Sequence, residues 1–183
     1  MPWRERGINL IYRAATGGGR LRAVLTALGG TVFLSVLVCS IGLAFFLDRY
    51  FRLPHLCSSP WQWLIAAPLL AVGLWLWAWS FLYFLKARGT PVPFNPPPRL
   101  VTTGPYAYVR NPMLAGVFLL LQGCGLACNS MALTCFFGPL FVLIMLLELK
   151  WIEEPELEKR LGAIYTDYRR HVPMFIPRIH SDS

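Results

Sequence analysis

Residues 24–47 read VLTALGGTVFLSVLVCSIGLAFFL, without one charged side chain. A helix needs about 20 apolar residues to cross the hydrocarbon core of a bilayer. This run satisfies that length, and residues 61–85, WQWLIAAPLLAVGLWLWAWSFLYFL, satisfy it again. Trp61 and Trp63 at the start of the second run suit an interfacial anchor. Two shorter apolar runs follow, from about Met113 to Cys128 and from Met131 to Leu147. Only Asn129-Ser130 separates them, with Gly123 and Gly125 nearby, so the pair reads as a tight helical hairpin. The expectation is an all-α polytopic membrane protein with about four spans, the third and fourth short.

The rest of the 183-residue chain agrees with that frame. Hydrophobic residues make up 56% and charged residues 14%, against about 25% charged in an ordinary soluble domain. A soluble chain of this composition would expose large apolar patches, which a bilayer removes. The first run is too long for a signal-peptide core and ends in Asp48-Arg49-Tyr50 rather than a small-residue cleavage site, so it reads as a retained span. Five cysteines form neither a disulfide framework nor a zinc pattern, and no metal site is expected.

The net charge is +8. The cations lie between apolar runs, and no basic stripe with interleaved aromatics suggests a nucleic-acid groove, so membrane lipids are the expected partner. Of 17 Lys and Arg, only Arg49 and Arg52 fall between the first and second runs, and none separates the third from the fourth. The positive-inside rule then puts both termini and the 86–112 loop in the cytoplasm. Residues 1–183 read as a single membrane domain, with two spans in 1–90 and the chemistry in 91–183.

Two polar segments, 86–112 and 148–183, thus face one compartment. Pro91, Pro93 and Pro96-Pro97-Pro98 stiffen the first into extended structure. In the second, Leu157, Leu161, Ile164, Tyr165 and Tyr168 recur at helical spacing and predict an amphipathic helix. Pro155 fits the first turn of a new helix or a kink where the fourth span leaves the membrane. Val172–Pro177 reads as an extended, apolar strip bounded by prolines.

The first segment ends in Gly104-Pro105-Tyr106-Ala107-Tyr108-Val109-Arg110-Asn111-Pro112. Alone, this is a turn whose Arg110 either snorkels to lipid phosphate or has a protein partner. The second opens with Glu148, Lys150, Glu153 and Glu154, in a chain with 9 acidic residues in all. Alone, these carboxylates either stabilise a helix N-terminus or face a ligand.

Together, Gly104-Pro105-Tyr106, Arg110-Asn111-Pro112, a short hairpin, Glu153-Glu154, Leu157, Gly162, Tyr165, Tyr168 and Val172-Pro173 resemble the isoprenylcysteine carboxyl methyltransferase family and its phospholipid methyltransferase relatives. The resemblance covers roughly residues 98–178. It implies S-adenosylmethionine bound on the cytosolic side, between the loop before the hairpin and the C-terminal segment. It places cofactor contacts at Leu100, Val101, Tyr106, Asn111, Pro112, Met113, Leu114 and Glu153. Glu153, Glu154 and Arg110 are the residues on which catalysis is expected to rest.

The chemistry of that cofactor suits these side chains. A carboxylate such as Glu153 matches its α-ammonium. Asn111 and Arg110 match its carboxylate or ribose, and Tyr106 and Tyr108 offer faces for adenine or the sulfonium. This chain departs from the family in having Asn111 where His is frequent, Leu114 where an aromatic is common, and Leu149 where carboxyl methyltransferases place an Arg. The expected reaction is methyl transfer to a lipophilic carboxylate, thiol or amine entering from the bilayer. A membrane reductase of the sterol or steroid type, using NADPH, is the alternative enzyme reading. A non-catalytic membrane scaffold is the third.

Overall fold

The computed structural model describes residues 2–90 and 94–177, so Pro91, Pro93 and Arg178 lie outside the described residues. Every regular element is helical: α1 Pro2–Thr16, α2 Gly19–Tyr50, α3 Trp61–Lys86, a short 3-10 turn Gly104–Ala107, α4 Pro112–Ala127, α5 Gly138–Glu148, α6 Glu154–Leu161 and α7 Ala163–His171. Wider π turns, Leu133–Phe137 and Leu149–Glu153, lead into α5 and α6. Three helical stretches are long and apolar enough to cross a membrane: Gly19–Tyr50, Trp61–Lys86 and Leu133–Leu161; α4 is a shorter apolar helix. The all-helical membrane architecture is the expected one.

The chain divides into two compact units. One gathers Gly30–Trp77 and Met113–Leu146. Its core is Ala44, Leu121, Ala132, Leu133 and Phe141. Glycine lets two of its helices approach closely: a Cβ on Gly116 would meet the backbone of Trp77 at 2.8 Å and of Gly73 at 2.9 Å. This is the small-residue packing on which membrane helices rely, because burial against lipid supplies little drive.

The hairpin turn lies in the same unit. Asn129 takes a left-handed backbone, φ 55°. Its Oδ1 accepts from the Leu56 and Cys57 amides at 2.7 and 3.2 Å, and its Nδ2 donates to the Cys57 carbonyl and to Gln62 Oε1. Asp48 accepts from the Ala132 amide at 2.9 Å and from the Ser130 hydroxyl. Orphan donors of the second hairpin helix are thereby satisfied by another helix. Gly123 and Gly125, just before the turn, are contact positions inside α4, against Leu70 and Thr134. The turn comes after them, with the Ser130 amide bonded to the Gly125 carbonyl at 2.7 Å.

The other unit gathers the chain up to Gly29, Ala78–Pro112, and the chain from Leu147 onward. The helix does not stop at Leu147, as the apolar run suggested. It continues through the π turn Leu149–Glu153 into α6. Pro155 has no N–H, so the Trp151 carbonyl loses its i+4 donor. Arg4 of α1 supplies one, Nε to the Trp151 carbonyl at 2.9 Å. Lys159 to Asn9 at 2.8 Å and an edge contact between Trp3 and Trp151 hold α1 along this stretch. The single amphipathic helix expected over 157–168 is two helices, because Gly162 takes φ 57° and ψ −130°, a conformation open to glycine.

Candidate functional site

Three pieces of the second unit converge: the turn at 104–111, the stretch Glu148–Leu161, and the end of the chain from Tyr165 to Met174. The turn is pinned by its backbone. The Arg110 amide donates to the Pro173 carbonyl at 2.9 Å and the Asn111 amide to the Met174 carbonyl at 3.2 Å. The apolar strip Val172–Pro177 thus pairs with the loop. Gly104, at φ 63°, lies against the Tyr83 ring, where a Cβ would come within 2.3 Å. Only glycine fits there.

Side chains lock the same pieces together. Arg110 Nη2 lies 3.0 Å from Glu154 Oε1, with both side chains about nine-tenths buried. Arg110 Nη1 also donates to the Arg169 carbonyl at 3.2 Å. Tyr168 donates its hydroxyl to the Tyr106 carbonyl at 2.7 Å, and Tyr165 lies beside the Glu154 carboxylate. Burial pushes the Tyr106, Tyr165 and Tyr168 phenols above the ordinary tyrosine range, and Glu154 adds to the effect at Tyr165. The three phenols therefore stay protonated. Tyr106 is buried, with its ring edge-on to Phe84 at 5.3 Å, and its hydroxyl has no hydrogen-bond partner among the described residues.

Glu153 differs from its neighbour. It is half-buried, and among the described residues its carboxylate forms no hydrogen bond or ion pair. Its charged neighbours are Glu148, Glu156 and Glu154, with Arg160, which Glu156 already holds at 2.9 Å. Arg110 also keeps a buried Nε–H with no partner among the described residues. Among the described residues the Glu153 and Glu148 carboxylates, the Arg110 Nε–H and the Tyr106 hydroxyl remain uncommitted after the internal pairings.

The other expected site residues lie as follows. Pro112 is fully buried and opens α4. Met113 and Leu114 follow it in the first turn and belong to the other unit. Leu100 and Val101 line a groove of about 630 Å³ together with Tyr83, Lys86, Arg88 and Arg99. Tyr108, considered as a cofactor face, is 63% exposed. Leu149 is buried and Lys150 exposed, so the lysine does not replace the arginine that the family's carboxyl methyltransferases carry at position 149. Among the described residues no three His, Cys, Asp or Glu side chains gather as a metal site.

Sequence reasoning passed over Tyr165, Tyr168 and the Arg169 carbonyl as site groups. Their signal was the Gly162-x-x-Tyr165-x-x-Tyr168 spacing, which puts both rings on one face of α7. Arg4 carried no comparable signal.

Fold and site define an integral membrane protein whose loop before a helical hairpin is clamped onto an acidic helix. The chain belongs to the phospholipid methyltransferase family, whose model matches residues 61–164, more than half of its length. It is 30% identical over 103 residues to a methanethiol S-methyltransferase of Crocosphaera subtropica, covering 56% of this chain and 36% of that protein. It is 30% identical over 101 residues to the nickel-cobalt-cadmium resistance protein NccN of Alcaligenes xylosoxydans, covering 55% of this chain and 43% of that protein. The chain thus spans less than half the length of these curated relatives. No solved structure matches it.

Proposed function

We propose that the protein transfers a methyl group from S-adenosylmethionine to a lipophilic acceptor at the cytosolic face of the membrane, with both termini in the cytoplasm. The family and the name of the first relative support methyl transfer. The observation that carries the cofactor reading is the unpaired Glu153 carboxylate beside a charged clamp that has already satisfied Glu154.

The residues fit the amino-acid end of that cofactor. Glu153 meets an ammonium by a charge-assisted hydrogen bond. Arg110 Nε–H remains for a carboxylate. When bound, the cofactor supplies a methyl carbon made electrophilic by its sulfonium. Arg110, locked to Glu154 and donating to the Arg169 carbonyl, holds the loop so that Tyr106 and Asn111 keep their places. Pre-positioning of this kind can contribute about 7–11 kcal/mol in favourable cases. A thiolate or carboxylate acceptor attacks without a base. An amine requires one, and Glu148, half-buried on the same helix, is in reach of the same cluster. A thiol is the first acceptor to try, because one relative is named a methanethiol S-methyltransferase.

Equilibrium dialysis of purified protein against labelled S-adenosylmethionine tests the reading. Binding should weaken at least about tenfold in Glu153→Ala, the loss of one charge-assisted contact. Unchanged affinity in that variant, or no binding in the wild type, overturns it.

A further inference from the structure

The groove beside Leu100 and Val101 has a charge pattern that the methyl-transfer reading does not use. Lys86, Arg88 and Arg99 line it, and none of its lining residues is acidic. Among the described residues none of the three cations is in an ion pair. Lys86 lies over the Tyr83 ring, 5.2 Å from its centre. The remaining wall is mixed: Tyr83, Leu100 and Val101 give it apolar surface, and Thr102 and Thr103 add hydroxyls.

Arg88 stands at a costly backbone position. Its amide bonds the Leu85 carbonyl and the Gly89 amide bonds the Phe84 carbonyl, each at 3.0 Å, so it closes the C-terminus of α3 at φ 59°. Glycine is the residue that such a left-handed cap favours. A helix dipole accounts for cations on the last turn of α3. It accounts neither for the strain at Arg88 nor for Arg99, which arrives from outside the helix. Strain of this kind persists where a side chain is needed in place.

Lys86 is also the last residue of a helix long and apolar enough to span a membrane. The groove therefore opens where such a helix ends, the level of lipid headgroups. We propose that the groove binds a phosphate group carried by an anionic lipid, with the three cations on the phosphate and the mixed wall of threonine hydroxyls and apolar side chains against the glycerol end. The proposal concerns retention of a lipid and is read without S-adenosylmethionine, so its failure and that of the methyl-transfer reading are separable.

The test is native mass spectrometry of the full chain in detergent with added phosphatidic acid, and phosphatidylcholine as control. The wild type should retain phosphatidic acid in preference to phosphatidylcholine. Arg88→Gly with Arg99→Gln should lower that retention about thirtyfold, the effect of losing two interfacial cations. Arg88→Gly alone relieves the backbone, so its thermal midpoint should not fall, which separates lost binding from lost folding. Equal retention of both lipids by the wild type, or undiminished retention of phosphatidic acid by the double variant, overturns the proposal. Displacement of phosphatidic acid by millimolar inorganic phosphate overturns the assignment to a lipid.

Discussion

Arg110 is held by Glu154 at 3.0 Å and not by Glu153, although the two carboxylates are adjacent in the chain. The choice gives neighbouring glutamates opposite work. Glu154 fixes the loop, and Glu153 keeps a carboxylate with no ion pair among the described residues. Arg110→Ala strands a buried carboxylate and should cost about 3–5 kcal/mol of stability. Arg110→Ala with Glu154→Ala should cost less than the sum of the single changes. Thermal unfolding in detergent across the four proteins of that cycle measures the difference, and strict additivity would show that the pair does not interact.

The hydrogen bond from Tyr168 to the Tyr106 carbonyl gives a milder expectation. Tyr168→Phe keeps the ring and removes the donor, for about 1 kcal/mol. Because the bond orders the 3-10 turn, the proposed function adds a few-fold rise in the S-adenosylmethionine dissociation constant. A fall in stability with no change in affinity would confine this bond to folding.

Arg4 and Pro155 make a testable pair. Arg4→Ala should destabilise by about 1 kcal/mol, because the Trp151 carbonyl loses its donor. In a Pro155→Ala background the helix supplies its own N–H, and Arg4→Ala should then be nearly neutral. Equal effects of Arg4→Ala in both backgrounds would show that the proline does not create the need.

At Gly116 the expectation is overpacking. Gly116→Ala places a methyl 2.8 Å from the Trp77 amide nitrogen, and roughly 1–3 kcal/mol should be lost. Gly42, where an added Cβ meets nothing within 4 Å, is the control. A thermal midpoint at Gly116→Ala equal to that of Gly42→Ala would argue against close helix contact.

Asn129 separates conformation from hydrogen bonding. Asn129→Gly keeps the left-handed backbone but removes the bonds to Leu56, Cys57 and Gln62; Asn129→Ala loses both. The alanine variant should be the less stable by about 1 kcal/mol. Chemical denaturation that ranks glycine below alanine would contradict the turn geometry.

Much of this molecule was legible in the sequence because the bilayer imposes length and polarity directly. The uncharged runs gave the spanning helices, and Asn129-Ser130 gave the hairpin turn. Arg110, Tyr106 and the two glutamates were legible as a group through their motif. Which glutamate Arg110 takes was not. Adjacent helical residues point about 100° apart, and the π turn just before Glu154 resets which of them faces the loop. The contact role of Gly123 and Gly125 was not legible: a glycine required by close helix contact looks in sequence like a glycine required by a turn. Arg4 was invisible because Pro155 announces an unsatisfied carbonyl but not who satisfies it.

The two π turns have one more consequence. Each spends an extra residue to turn the helix back by about a quarter of its circumference, so the stretch from Leu133 to Leu161 is read in frame. Removing a single residue between Leu149 and Glu153 lets the ladder close as an ordinary α-helix. That deletion would swing one of the segments flanking the turn, with all its side chains, to a new bearing while leaving composition almost untouched. Length changes in this helix therefore act as frameshifts of orientation. A second single-residue insertion nearby is the natural way to undo one.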